Sequence, residues 1–514
     1  MRRHGRWLPC LMGICWACGS STGPGPDAGP GPDPGSPADL PGETPPPPDP
    51  EFAIPHLPFP QHPFLAPDGT SNMHDDASMS DTYAWAGPEG PEGNVSLVRL
   101  ADGMHTCTTL TFDRAGRILT VRASFLQYDL LALDPSTLAV LAEFPLPPRD
   151  PSDPLFPYDD TSGAAYFVLD HRERVILADA ENAVQVLSLA PAGDSFRQEA
   201  RFDLSGHVVA MEWPARDHVQ MAIPDWQGLW WFTTRYGRVG TLREADGRAR
   251  SIALPGEEIQ NSFAVGEDGV FIVTSHALYR FLADPDGTPR AVWRTPYDRG
   301  SGRKPGNIHW GSGTTPQLFG EMVAITDNAD PRMRVLFLRR SDGSIACQVP
   351  VFAEGRSTTE NALIGWHRQG PRGLEYSVIV DDNYGIDRNA ILGDGRCWTD
   401  HDGGQVRVDL LPDGNGGFTC AEVWAGTERS SQVLPKLSLR SGLLYLYTYE
   451  RAGDGDYDFF VTAVDARTGA TRHRWPAGHG LDFANFGQPM AISPDGTLYL
   501  GTMNGLLRAT GRIH

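Results

Sequence analysis

Two kinds of tight turn recur along this chain in a regular order, and this repetition limits the folds that the chain can adopt. The first kind is an acidic turn, as in "FLADPDGTPRAVW", and it lies a few dozen residues after a turn of the second kind. Because Asp favours the start of a turn and Gly tolerates positive φ, such turns predict β-hairpins. The other kind joins two short apolar strands, as in "ISPDGTLYLGT", and its turns centre near residues 116, 173, 228, 269, 320, 373, 442 and 496.

The repeats predict an all-β chain, since almost no segment has an apolar period of 3.6 residues over three turns. A period of about forty to seventy residues with four short strands per unit is typical of a β-propeller. We predict a single β-propeller of eight four-stranded blades over residues 94–514, with seven blades as the alternative. The strand "NVSLVRL", residues 94–100, is predicted to complete the last blade and to close the ring without a free edge.

One stretch of the seventh repeat resembles a known family. "AVDARTGATRHRW" is similar to the Ala-x-Asp-x-x-Thr-Gly…Trp repeat of the pyrroloquinoline-quinone-type propellers, with matches at Ala463, Asp465, Thr468, Gly469 and Trp475. That superfamily includes eight-bladed quinoprotein alcohol dehydrogenases and non-enzymatic lipoproteins of outer-membrane assembly. The resemblance therefore implies the fold more than an activity. A quinoprotein dehydrogenase is expected to have a disulfide between adjacent cysteines. No Cys-Cys pair occurs here, so pyrroloquinoline quinone is not the expected cofactor.

The N-terminal part of the chain predicts export. Residues 1–18 combine a basic start with the stretch "WLPCLMGICWA", which is too short to span a bilayer. Ala17-Cys18 resembles the end of a bacterial lipobox, which predicts acylation of Cys18. Cleaved secretion and an apolar start without a signal role are the alternatives. We expect an outer-membrane or cell-surface lipoprotein, or else a periplasmic or secreted protein.

Two further segments precede the predicted ring. Residues 19–50 are rich in Pro and Gly and contain no aromatic residue. Such a segment buries too little surface to offset its ordering entropy, so we predict a disordered tether. Residues 51–93 contain many prolines, and they are predicted to form an N-terminal extension that packs across one face of the propeller.

The charge of the chain excludes one class of partner. The formal net charge is −21, and no basic block or stripe occurs, so a nucleic-acid surface is not expected. Of the 43 basic residues only two are lysines, Lys304 and Lys436.

Four cysteines lie in the body of the chain, and four cysteines allow three pairings. We predict a Cys397–Cys420 disulfide, because it would close a Gly-rich excursion. Cys107 and Cys347 would then join distant parts of the fold. No CxxC pair occurs in the body, so zinc and redox motifs are not supported.

Polar residues just ahead of the innermost strands are candidates for a ligand site, because in a propeller those strands line one central channel. A ring of His, Glu, Asn and Lys could bind a metal or a small anion, or could perform acid–base chemistry. The alternative is a channel mouth that is polar because it is wet. If the ring is a ligand site, alanine variants of Lys436, His309 and Glu360 should weaken binding and change stability by less than about 1 kcal/mol. The candidates are His105, Glu212, Asn261, His309, Glu360, Asn361, Lys436 and Gln488.

A second candidate site lies in the extension, within "SNMHDDASMSDTY" (residues 71–83). An imidazole with nearby carboxylates suits a divalent metal ion such as calcium. His74, Asp75, Asp76 and Asp81 are the predicted ligands. The alternative is a solvated loop with Asx-turns.

Two classes of function follow from these patterns. The first is a membrane-tethered, extracytoplasmic binding or scaffold module for a protein, a glycan or another envelope component. The alternative is an enzyme at the channel mouth, dependent on a quinone or a metal.

Overall fold

The computed structural model describes residues 52–124, 127–155, 159–386 and 401–512. The predicted export signal (1–18) with Cys18, the predicted tether (19–50) and Cys397 lie outside these residues. Two short 3-10 helices, Ser205–His207 and Leu481–Phe483, are the helical elements of the described part. Neither helix is long and apolar enough to cross a membrane.

The strands of the described residues form eight mainly antiparallel sheets around a central channel, which confirms the eight-bladed all-β propeller and rules out the seven-bladed alternative. Strands are numbered in chain order. Blades are numbered from the N-terminus, starting with the first blade that consists of four consecutive strands. Blades 1 to 4 consist of Thr106–Phe112 (β3), Ile118–Ala123 (β4), Tyr128–Leu133 (β5) and Val140–Leu146 (β6); Phe167–Leu169 (β7), Arg174–Ala178 (β8), Ala183–Leu189 (β9) and Phe196–Asp203 (β10); Val219–Pro224 (β11), Trp230–Thr234 (β12), Arg238–Leu242 (β13) and Ala249–Ala253 (β14); and Ala264–Gly266 (β15), Gly269–Val273 (β16), Ala277–Ala283 (β17) and Pro289–Pro296 (β18).

The other four blades repeat this order, with the first strand of each blade innermost. Blades 7 and 8 also take up two strands that precede β3 in the chain, Thr82–Tyr83 (β1) and Glu89–Arg99 (β2). Blades 5 to 8 consist of Gln317–Phe319 (β19), Met322–Thr326 (β20), Arg334–Arg339 (β21) and Ile345–Pro350 (β22); Ile364–Gly370 (β23), Gly373–Asp381 (β24), Gln405–Pro412 (β25) and Phe418–Ala425 (β26); Lys436–Ser438 (β27), Leu443–Arg451 (β28), Tyr457–Asp465 (β29) and Thr471–His479 (β30); and Met490–Ile492 (β31), Leu498–Thr502 (β32) and Gly505–Arg512 (β33).

The ring closes as the sequence predicts. Strand β2 pairs antiparallel with β33, with Leu97 opposite Leu507 and Arg99 opposite Gly505. It supplies the outermost strand of blade 8 and so covers an edge that would otherwise be free. The innermost and middle strands of the blades are largely buried, whereas outer strands such as β10 alternate between exposed and partly buried residues. The core therefore lies between the blade faces.

The turn at residues 465–470 shows why its motif contains glycine. The amide of Gly469 donates to the carbonyl of Asp465 at 2.8 Å, and the Asp465 carboxylate accepts from the Arg467 amide at 2.9 Å. Gly469 has φ +75°, and a Cβ atom there would lie 2.7 Å from the Trp424 ring of blade 6. Both the left-handed backbone and the close contact between blades exclude a larger residue.

The cysteine pairing differs from the prediction. Cys420 is bonded to Cys347, and Cys107 is buried and free. The predicted Cys397–Cys420 and Cys107–Cys347 pairings are therefore wrong. Cys347 lies in β22 and Cys420 in β26, the outermost strands of neighbouring blades, and their Cα atoms are 6.0 Å apart. That distance is normal for a disulfide, and the bond links blade 5 to blade 6.

Candidate functional site at the plugged channel mouth

The N-terminal extension fills the propeller channel. We call residues 69–85 the channel segment. Its side chains from Ser71 to Tyr83 are buried, and β1 pairs in parallel with the innermost strand of blade 7. Amides of five innermost strands donate to its carbonyls: Leu169 to Ser71, Val265 to Ala77, Leu318 to Ser78, Gly365 to Ser80 and Leu437 to Asp81, at 2.7–3.1 Å.

The prediction that residues 51–93 pack across one face is therefore incomplete. Residues 54–64 do cross one face, where the Ile54 amide donates to the Leu439 carbonyl and the His62 ring contacts Trp226. We call this the turn face, because it carries the tight turns between the first and second strands. The chain then enters the channel, since the inner strands offer backbone groups that need partners away from water. The opposite face, with the longer loops that lead into the innermost strands, is the loop face.

A buried ionic cluster holds the channel segment to blade 7. The Lys436 ammonium donates to Asp81 Oδ1 at 2.6 Å, to Asp75 Oδ1 at 3.2 Å and to the Met73 carbonyl. The other oxygen of Asp81 is 3.0 Å from Nδ1 of His74. Lys436 is fully buried, and the three side chains around it are at most 2% exposed.

The pKa directions show how the charges in this cluster balance. Burial alone would lower the pKa of Lys436, but Asp75 and Asp81 outweigh burial and the pKa is raised. Burial alone would raise the pKa of Asp81, but Lys436 and His74 outweigh it and the pKa is lowered. The pKa of Asp75 is well above its usual range, mainly because of burial. Lys436 and Asp81 therefore form the closest ion pair of the cluster, and burial favours the neutral form of Asp75.

The predicted metal ligands are not arranged as a metal site in the described residues. No group of three or more His, Cys, Asp or Glu side chains in the described ranges is arranged to hold a metal ion. The Lys436 ammonium occupies the position between Asp75 and Asp81 that the prediction gave to a cation. Asp76 instead accepts from Ser80 Oγ and from the Ser78 amide. The spacing within residues 71–83 predicts that the carboxylates lie close together. It could not show that Lys436 of blade 7 packs against two of them.

A two-lobed cavity opens at the loop face above the channel segment. The lobes have volumes of about 160 and 120 Å³ and share a wall of Met73, Thr161, Tyr166, Phe486 and Gly487. The first lobe combines apolar side chains such as Met104 and Met503 with polar ones. We call the second the amide lobe, because its lining includes Gln260, Asn261, Asn361 and Gln432, together with His74 and Glu360.

The structure brings five of the eight predicted mouth residues to this cavity. His105 and Gln488 line the first lobe, and Asn261, Glu360 and Asn361 line the amide lobe. These residues come from blades far apart in sequence, as predicted for positions just ahead of innermost strands.

The other three mouth residues lie elsewhere. Lys436 belongs to the buried cluster beneath the cavity. His309 is buried without lining either lobe, and burial holds its pKa well below the usual range, assisted by Arg235, Arg303 and Arg299. Glu212 is exposed, because it sits midway along the loop between β10 and β11 rather than at the start of a strand.

Four buried polar atoms of cavity-lining side chains have no hydrogen-bond partner within the described residues. Buried polar groups are usually paired, so these atoms favour a ligand that forms hydrogen bonds. The side chains are at most 5% exposed. The atoms are His74 Nε2, His105 Nε2, Gln260 Oε1 and Asn261 Nδ2.

The lining fits pyrroloquinoline quinone poorly. That quinone carries several carboxylates, which need cationic partners. The cation among the residues that line the two lobes is Arg149, whose guanidinium donates to the Ser162 carbonyl and lies 3.7 Å from Asp160. The cavity suits an uncharged ligand better.

Comparisons with known proteins give distant structural similarity and no family. No protein-family model and no curated protein matches the chain. BamB from Moraxella catarrhalis has a TM-score of 0.36 and 13% identity, over 65% of this chain and 93% of that one. A catalytically inactive virginiamycin B lyase from Staphylococcus aureus, with quinupristin, gives 0.37 and 10%, over 82% and 99%. The WD40 domain of SCAP from fission yeast gives 0.47 and 9%, over 82% and 98%. Similarity at this level concerns architecture, and the fold assignment rests on the strand pairing described above.

Proposed function

We propose that the protein is a membrane-tethered binding module outside the cytoplasm, and that its cavity holds a small uncharged polar ligand, specifically a sugar unit of a glycan. The observation that carries this proposal is the set of buried, unpartnered polar atoms around the cavity. They come from blade 1, from the loop that leads into blade 4, and from the channel segment, so only the closed ring assembles them.

The chemistry of the lining supports a sugar. Asn and Gln amides both donate and accept hydrogen bonds, as sugar hydroxyl groups do. Tyr166 and Phe486, which the two lobes share, offer apolar surface for the faces of a sugar ring. The carboxylate of Glu360 accepts from the Ile308 amide at 2.7 Å, so it is held in place at the edge of the site.

Calorimetric titration of the full chain tests this proposal. N,N′-diacetylchitobiose, cellobiose and maltose are the probes, and we expect at least one to bind. Asn261→Ala removes a donor that has no other partner and should weaken binding about three- to tenfold. Asn415→Ala, in an exposed turn on the turn face, is the matched control and should bind like the wild type. If none of the three sugars binds, or if Asn261→Ala binds equally well, the proposal is wrong.

The export part of the proposal has a separate test. The Cys347–Cys420 disulfide supports an oxidising compartment, and the lipobox-like Ala17-Cys18 supports acylation. On phase separation of the expressing cells' membranes, we expect wild-type protein in the detergent phase and Cys18→Ala in the aqueous phase. Equal recovery of both proteins in detergent would contradict the lipid anchor.

A further inference from the structure

Contacts beneath the cavity hold the imidazole of His74 in one orientation. Its Nδ1 is 3.0 Å from Asp81 Oδ2, and the other Asp81 oxygen accepts from Lys436 at 2.6 Å. The His74 amide donates to Asn72 Oδ1 at 2.7 Å, which holds the backbone as well. With both carboxylate oxygens engaged and His74 only 2% exposed, the imidazole has little freedom to turn.

The contact with Asp81 determines which nitrogen of the His74 imidazole carries the shared hydrogen. A carboxylate only accepts hydrogen bonds, so Nδ1 of His74 must carry the hydrogen that it shares with Asp81. Lys436 donates to the other oxygen of Asp81 and balances its charge. An imidazole with its hydrogen on Nδ1 carries its lone pair on Nε2.

The unpartnered nitrogen of His74 belongs to a side chain that lines the cavity. His74 lines the amide lobe beside Asn261 and Asn361, and its Nε2 has no hydrogen-bond partner within the described residues. The Asn261 Nδ2 donor in the same lobe is also unpartnered. An acceptor and a donor on rigid supports can together recognise one hydroxyl group, or two neighbouring ones.

We propose that His74 is a specificity-determining residue of the ligand site, and that its Nε2 accepts a hydrogen bond from a hydroxyl or N–H group of the bound sugar. This inference rests on the proposed sugar-binding function and adds the chemistry that the ligand must present. Asp81 and Lys436 are positioning residues for the imidazole. The site is then built jointly by the blades and the channel segment.

Two substitutions separate the acceptor from the structural role of His74. The side-chain amide of His74→Asn can still donate to Asp81 but leaves no acceptor at the position of Nε2. His74→Gln can place an amide oxygen near that position. We expect His74→Asn to weaken binding of the sugar found among chitobiose, cellobiose and maltose about tenfold, and His74→Gln to bind within about threefold of the wild type. Urea unfolding of both variants checks that the fold is kept.

The results of these binding experiments distinguish failure of the His74 inference from failure of the sugar-binding function. Wild-type and His74→Asn proteins with equal affinity would overturn it and leave the sugar-binding function standing. Binding to none of the three sugars by the wild type would end both. Long-range ¹H–¹⁵N NMR of the ligand-free full chain near pH 7 gives a check without any variant. We expect His74 with its hydrogen on Nδ1, and an imidazolium or an Nε2–H tautomer would overturn the inference.

Discussion

Lys436→Met should destabilise the protein by about 3–5 kcal/mol, the usual effect of removing one partner from a buried ion pair. Methionine retains most of the apolar stem but leaves Asp81 ionised and buried without its cation. The Met73 carbonyl would also lose its donor. Urea unfolding followed by tryptophan fluorescence measures this change. The sequence interpretation, in which Lys436 is a wet mouth residue, predicts less than about 1 kcal/mol.

Lys304 provides the matched control, because it is the other lysine of the chain. Its ammonium donates to the carbonyls of Ala329 and Ser357 at 2.7 and 3.2 Å and is 3.8 Å from the exposed carboxylate of Asp330. Its ion-pair partner among the described residues, Asp330, is exposed rather than buried, so Lys304→Met should cost about 1 kcal/mol. Equal losses for the two variants would show that the Lys436 cluster has no special role in stability.

Loss of the Cys347–Cys420 disulfide should have the second large effect. The bond spans 73 residues of sequence, and disulfides typically stabilise by about 2–4 kcal/mol, chiefly by restricting the unfolded chain and more so for longer loops. The double variant Cys347→Ala/Cys420→Ala should therefore unfold at a lower urea concentration than the oxidised wild type. Dithiothreitol should shift the wild type toward the double variant and leave the double variant unchanged.

Peptide mapping without reduction checks the pairing itself. The peptides that contain Cys347 and Cys420 should be linked, and Cys107 should react with a thiol reagent only after unfolding, since it is buried. A Cys397–Cys420 link, or a double variant as stable as the oxidised wild type, would contradict this part of the account.

The blades could be predicted from the sequence because their signals are local. An acidic turn such as residues 465–470 places its carboxylate, its glycine and its flanking strands within a dozen residues. Repetition of that pattern specifies four-stranded units, and a strand before the first repeat supplies the missing outer strand, β2. The predicted count of eight blades and the ring closure are both confirmed.

The channel segment could not be predicted, because its partners are distant in sequence. Its polar residues are typical of a solvated loop, yet their backbone groups pair with inner strands from five blades. The carboxylates of Asp75 and Asp81 looked like metal ligands because the balancing charge, Lys436, lies in blade 7. Burial of such a segment depends on the size of the channel that eight blades leave open.

The positions of the mouth residues could be predicted from the sequence only in part. Asn261 and Gln488 immediately precede innermost strands, and the prediction placed them correctly. Glu212 failed because the length of its loop carries it outward. The Cys347–Cys420 disulfide could have been predicted from the sequence, since both cysteines fall in the fourth strand of consecutive repeats. Counting strands within repeats would have favoured that pairing over residues 397 and 420.

The loop-face cavity, with the channel segment as its floor, is the proposed ligand site. A crystal structure of the full chain with whichever of the three disaccharides binds most tightly tests it most directly. We predict electron density for a sugar unit between Tyr166 and Phe486, above Met73, with a hydroxyl or N–H group within hydrogen-bond distance of His74 Nε2. Sugar density on the turn face or along the outer strands, with the cavity empty, would contradict the account.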